Sequence, residues 1–406
     1  MKESKETESE QLVSMLCKRS FLSLWSYSRP EGKERGKELC DSLVVCDPDI
    51  IIFSVKECKV TDSGNLEVDW ERWRRAAVQE SYKQAYGAQR IISLKPSVVT
   101  REGTEGLPYP DASRRQIHRV AVALGAQRRV PFAFGDFGKG FVHVIDEISL
   151  LVLMTELDTI TDFVQYLTRK EAFFSSGVKA LITGGEEDIL ALYILNNYSF
   201  PANCDYIEVG AGLWADFQKK PEYKAKKIAD RESYIWDDLI EDFCGHFQRG
   251  TLEFGNNLSD VEMVTRIMAR ENRFSRRILG KSFKYFMDQR GKITSRYKIS
   301  DSGIAYVFLV KPHGFKREDR MIELGTRCGV VRGINPQLTT VVGIATEEYM
   351  PGRGYSLDAF YFHRPVWTSE DQALLENIQR EFRYFTNPIE SKMQEDEYPG
   401  SWPDSM

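Results

Sequence analysis

The chain has 406 residues, of which 42% are hydrophobic, 12% aromatic and 28% charged, with a formal net charge of −5. Such a length exceeds one ordinary hydrophobic core, so two or three folded domains are expected, and the apolar content excludes a disordered polymer. No apolar run reaches the roughly 18 residues that cross a bilayer, and the N-terminus MKESKETESEQ is charged, which speaks against a membrane anchor or signal peptide.

The seven cysteines, at positions 17, 40, 46, 58, 204, 244 and 328, are odd in number and include no CxxC pair. That pattern fits reduced thiols in a cytoplasmic protein and offers no structural zinc site. A net negative charge requires any nucleic-acid contact to be local. Basic clusters exist at Arg72, Arg74 and Arg75, at Arg114, Arg115, His118 and Arg119, and at Arg273, Arg276, Arg277, Lys281 and Lys284. Each cluster alone reads first as a solvated helix face.

In chain order, residues 1–16 are polar and acidic and read as a flexible N-terminus. A helix is expected over 32–40, then two β-branched runs, 43–46 and 50–55, on either side of the turn signal Asp47-Pro48-Asp49. A helix over 70–86 ending at Gly87, a strand over 90–94 and further strands over 118–124 and 141–147 follow. Helical periodicity then covers 150–174, 180–197 and 236–247, with helices over 258–290 broken near Gly280. Strand-length runs at 304–310, 338–345 and 359–362 are interleaved with a helix at 316–328, and Thr368-Ser369-Glu370-Asp371 opens a last helix to about 385. The expected organisation is therefore a mixed α/β chain. It comprises an αβ domain over 17–140, a mostly helical region over 141–295, a small α/β domain over 296–388 and a loose tail over 389–406.

The segment that carries chemistry runs from Glu38 to Lys56. A glutamate at a helix end, an aspartate opening a strand and a lysine closing the next strand would bring three polar heads together beside apolar strands. In an extended chain Ser54 and Lys56 share one face while Val55 takes the other, so Lys56 can join Asp41 across the hairpin. Two carboxylates suit a hard cation such as Mg²⁺, which keeps several waters and polarises a phosphate. A neighbouring lysine suits negative charge developing on phosphate oxygens.

This order resembles the PD-(D/E)XK nuclease superfamily, in its restriction-endonuclease-like and NERD-like branches, over roughly residues 20–95. The resemblance implies Glu38 as the helix acid, Asp41 as the metal-binding aspartate and Lys56 as the catalytic lysine, with Mg²⁺ or Mn²⁺ held by Glu38 and Asp41. It departs from the pattern at Ser54, where the family usually has Asp or Glu. Arg72, Arg75, Gln79 and Lys83 are candidates to face phosphates from the following helix. The expected activity is metal-dependent hydrolysis of DNA or RNA by a cytoplasmic protein with no membrane contact. By analogy the resemblance extends to an anti-phage defence effector, a homodimer, and a protein or phage-derived trigger. The alternative is a non-enzymatic interaction or sensor protein with a degenerate nuclease-like fold.

Overall fold

The computed structural model describes residues 6–34, 36–130, 133–251, 258–289, 291–348, 355–386 and 395–400. Its helix and strand content is that of a mixed α/β chain. The chain divides into two units, residues 1–223 and 224–406.

In the first unit, helix α1 (Glu8–Phe21) precedes the strands β1 (Ser26–Ser28), β2 (Ser42–Cys46) and β3 (Asp49–Glu57). A helical crossover follows, built from α2 (Leu66–Trp73), a π-helical turn (Arg74–Gln79) and α3 (Glu80–Ile92). After the small hairpin β4 (Ser97–Val99) and β5 (Glu105–Pro108) come β6 (Gln116–Leu124), β7 (Gly135–Asp136) and β8 (Phe141–Ile145). The sheet order is β1-β2-β3-β6-β8-β7. The first three strands form an antiparallel meander, and β3, β6 and β8 run parallel. A parallel pair cannot be joined by a tight turn, so the crossover helices are obligatory and cover one sheet face. On that face Ala85, Ala88 and Ile92 of α3 pack on Ile50 and Ile52 of β3. On the other face Phe53 meets Phe21 of α1 and Phe163 at ring distances of 6.3 and 6.1 Å.

The unit continues with α4 (Glu147–Glu156), α5 (Ile160–Ser175), β9 (Lys179–Ile182), α6 (Glu186–Leu195), β10 (Tyr206–Val209) and α7 (Leu213–Lys219), β9 and β10 forming a parallel pair. Lys170 of α5 and Glu186 of α6 make a fully buried ion pair, 2.5 Å apart, to which Tyr166 donates a further hydrogen bond.

The second unit begins within α8 (Pro221–Ala229) and continues through a 3₁₀ turn (Asp230–Ser233), α9 (Tyr234–Gln248), α10 (Leu258–Ala269) and α11 (Arg273–Asp288). Its sheet, in the order β11-β12-β13-β14, comprises Ser295–Ile299, Ala305–Lys311, Thr340–Glu347 and Leu357–His363, with β12 and β13 parallel. Helix α12 (Arg317–Ile334) bridges that parallel pair and buries Leu324, Cys328 and Val331 against Val307, Leu309 and Val341. The opposite face receives Trp236 of α9, whose ring stands edge-on to Tyr306 at 4.9 Å. Helix α13 (Ser369–Phe382) starts at the expected cap, Thr368. Residues 395–400, expected to be part of a loose tail, are held by cations: Arg277 donates to the carbonyls of Asp396 and Glu397 at 2.8 and 3.1 Å, and Lys281 pairs with Glu395 at 2.5 Å. The remainder of that expected tail, 389–394 and 401–406, lies outside the described residues.

Several expectations need correction. Residues 8–16 are helical, because Thr7 and Glu10 form a capping box and Val13, Leu16, Cys17 and Phe21 bury one face. The described residues of 32–40 form no helix: Pro30, Gly32 and Gly36 break the pattern, and the chain doubles back so that Leu39 N donates to Pro30 O at 2.8 Å. The expected strand at 90–94 is the end of α3, which runs through Gly87. Residues 179–182 are a strand preceding α6, not the start of a helix. The boundary expected at 140 falls inside the first unit, since β8 pairs with β6. Gly280 does not break α11; it lets the helix approach the 3₁₀ turn, where an added Cβ would lie 2.2 Å from Glu232 O.

Candidate active site

The hairpin pairs Ser42 with Phe53 and Cys46 with Asp49, so β3 extends beyond the start of β2 by four residues, Ser54 to Glu57. That overhang is paired with β6 on one side only. The backbone N–H of Val55, turned toward the missing β2 partner, would be a buried orphan. Asp41, the residue just before β2, fills the gap: its Oδ2 accepts from Val55 N at 2.6 Å.

Asp41 is 2% exposed. Burial, with a hydrogen bond and charge shared with Glu38, pushes its carboxyl up to about 7 against the opposing effects of the Val55 N–H and the Lys56 charge. The Asp41 and Glu38 carboxyl groups thus lie within hydrogen-bonding reach of each other. Glu38 is itself held by Arg29, whose Nε donates to Oε2 at 2.7 Å. Arg29 N also donates to Asp41 O at 3.0 Å, which ties the two ends of the 29–41 excursion together. The acid expected on a helix thus reaches Asp41 from an irregular loop.

The even-numbered side chains of β3 begin as the apolar stripe Ile50 and Ile52 facing α3, then change character. Ser54, fully buried, donates to Oε1 of Gln84 on α3 at 2.6 Å. Lys56 is half-buried and has no hydrogen-bond or ion-pair partner among the described residues. Its charge acts on Asp41. Glu57 is exposed and accepts from Ser9 of α1, so it does not replace the acid missing at Ser54.

The structure therefore brings together Glu38, Asp41, Ser54 and Lys56, and adds Gln84, which the sequence reading did not include. A signal for it exists in the small buried residues Ala77, Ser81, Ala85 and Ala88, which allow this helix to lie close to the sheet. Of the residues expected to face phosphates, Arg72, Arg75 and Lys83 are exposed and Gln79 is half-buried. Lys83 is paired with Glu80 at 2.8 Å. The π-helical turn between Arg72 and Lys83 winds more residues per turn than an α-helix, so their spacing does not follow α-helical phase.

A divalent cation fits this arrangement in one respect: two adjacent carboxylates repel each other once both are ionised, and a cation between them would offset that repulsion. Among the described residues no group of three or more His, Cys, Asp or Glu side chains could hold a metal, so the donor set is limited to this pair. Mg²⁺ accepts one or two carboxylates with water completing its shell.

No family model, curated protein or solved structure matches the chain.

Proposed function

We propose that the first unit is a metal-dependent phosphodiesterase acting on nucleic acid, a nuclease of PD-(D/E)XK type. The observation that carries this reading is the meeting of Asp41, Glu38 and Lys56 at the open end of one hairpin, where a buried carboxyl is held at a strand overhang. The antiparallel hairpin and the helical crossover to a parallel strand support this reading, whereas the helix expected to carry the acid is replaced by a loop at Glu38.

In this reading Asp41 and Glu38 would hold Mg²⁺ or Mn²⁺, which when bound polarises the phosphate and acidifies a water. The Val55 N–H fixes the Asp41 carboxylate in one orientation. Lys56, unpaired by any described acid, is available to neutralise charge that develops on the phosphate oxygens as the ester breaks. Ser54 supplies no charge and is committed to Gln84, so its role is to fix α3 against the end of β3.

That same commitment of Ser54 favours a second reading, a docking module in which the polar cluster is structural. Incubating the purified chain with duplex DNA, single-stranded DNA and RNA in Mg²⁺ or Mn²⁺ separates the two. The nuclease reading expects cleavage that Asp41→Ala and Lys56→Ala each reduce by about a hundredfold or more, the scale of losing one transition-state contact. No cleavage, together with no metal-dependent gain in thermal stability, selects the docking module.

A further inference from the structure

On the same face of the first unit, the outer side of α3 and the turn between β7 and β8 enclose a groove of about 690 Å³. Its walls combine two chemistries. Tyr82 and Phe137 stack with ring centroids 4.7 Å apart and planes 9° from parallel, and Tyr86 adjoins Tyr82 at 5.8 Å. All three rings are half-buried, so part of each faces the opening. The cations Lys83, Arg90 and Lys139 line the same groove and are exposed. Lys83 has an acid partner in Glu80, whereas Arg90 and Lys139 have none among the described residues.

The nearby acid is already occupied: Asp136 Oδ1 accepts from the backbone N–H groups of Gly138 and Gly140 at 2.7 and 3.0 Å. Those bonds, with the Tyr86 hydroxyl donating to Gly140 O at 2.6 Å, fix the turn against α3. Behind the groove Arg119 donates to Gln89 Oε1 at 2.6 Å, which fixes that lining residue. The groove is therefore built, and three cations line it in a chain whose net charge is −5.

We propose that this groove binds a segment of single-stranded nucleic acid, an unpaired base packing against the Tyr82–Phe137 plates while backbone phosphates meet Arg90, Lys139 and Lys83. Aromatic rings accept any base through its π-face, and cations along a groove track the phosphodiester backbone. Lys83 and Arg90 are seven residues apart on α3, about 10 Å along the helix axis, so the cations are distributed along the groove. A paired base has its faces stacked on neighbours, so duplex cannot use the plates. The groove runs along α3 from Tyr82 to Leu94 and has none of Glu38, Asp41, Ser54, Lys56 or Gln84 in its lining, so the proposal does not require that centre to be catalytic.

The test is fluorescence anisotropy of a short labelled single strand with the full chain, in EDTA so that cleavage cannot contribute. The matching duplex and AMP serve as competitors. Expected is binding to the single strand that neither competitor displaces at equal concentration. Phe137→Leu should weaken it roughly tenfold. The double variant Arg90→Gln, Lys139→Gln should also weaken it and lower the slope of log affinity against log salt by about 1.4, the value for two lost single-strand phosphate contacts. Unchanged circular dichroism confirms that both variants fold. No binding by wild type, equal binding by the folded variants, or equal displacement by duplex or AMP would overturn the proposal. Because the readout is binding alone, cleavage without groove binding and groove binding without cleavage remain distinguishable.

Discussion

At the scale of single residues, Asp41 carries opposite obligations. With its carboxyl raised to about 7 by burial and by Glu38, the folded chain binds a proton that the unfolded chain has already released above an ordinary carboxylate value near 4. Stability contributed by this site is therefore present at low pH and lost as pH rises toward about 7. On the nuclease reading, cation binding would have the reverse dependence, since the proton would have to leave first. Two results follow for Asp41→Asn. Cleavage by wild type should rise through pH 7 and be absent in the variant at every pH. The variant without metal should be at least as stable as wild type at pH 8, because Asn still accepts from Val55 N and carries no buried charge; a large loss of Tm there would show that the ionised carboxylate stabilises the fold. The legibility of this site was uneven. Asp41 and Lys56 can be read from the hairpin register alone, because β-branched runs flank a turn signal and fix which side chains share a face. The role of Gln84 cannot, because it depends on the approach of a helix thirty residues away in sequence, Ser54 to Gln84.

At the scale of elements, close packing decides what composition leaves ambiguous. Gly280 reads as a helix break in the sequence, yet α11 passes through it and uses the absent side chain to press on Glu232 O. Gly280→Ala should therefore destabilise the second unit by roughly 1–3 kcal/mol despite the better helix propensity of alanine, because backbone has to move. Urea denaturation of the variant against wild type checks this; a stabilised variant would mean that the contact is dispensable. The same logic explains the missed end of α3. Ile91 and Ile92 look like part of a β-branched strand in isolation, but Ala85, Ala88 and Ile92 fall on one helical stripe that covers Ile50 and Ile52. The excursion at 29–41 shows the converse, for there the glycines and proline do keep the chain from forming a helix and leave Glu38 on a loop pinned by Arg29.

At the scale of the whole molecule, the class of fold is legible because periods of two and of three to four alternate along the chain, but the division into units is not. Residues 141–147 read as a strand, but the boundary expected at 140 separates it from the first sheet, which it joins by pairing with β6. Long-range register of this kind leaves no local mark. Each unit nonetheless carries its own set of sealed thiols. None of the seven cysteines is in a disulfide; Cys17, Cys40 and Cys46 are buried in the first unit and Cys244 and Cys328 in the second, while Cys58 and Cys204 are partly accessible. Burial raises the buried Cys244 thiol to about 12 and pushes Cys17, Cys40 and Cys328 up as well, which leaves little of the nucleophilic thiolate. The chain thus contains a chemical clock for its own opening. Pulsed alkylation in rising urea, read by peptide mass, should mark Cys58 and Cys204 at once, Cys17, Cys40 and Cys46 as one group, and Cys244 with Cys328 as another. Early modification of any one of the five buried thiols would locate the place where its unit opens first.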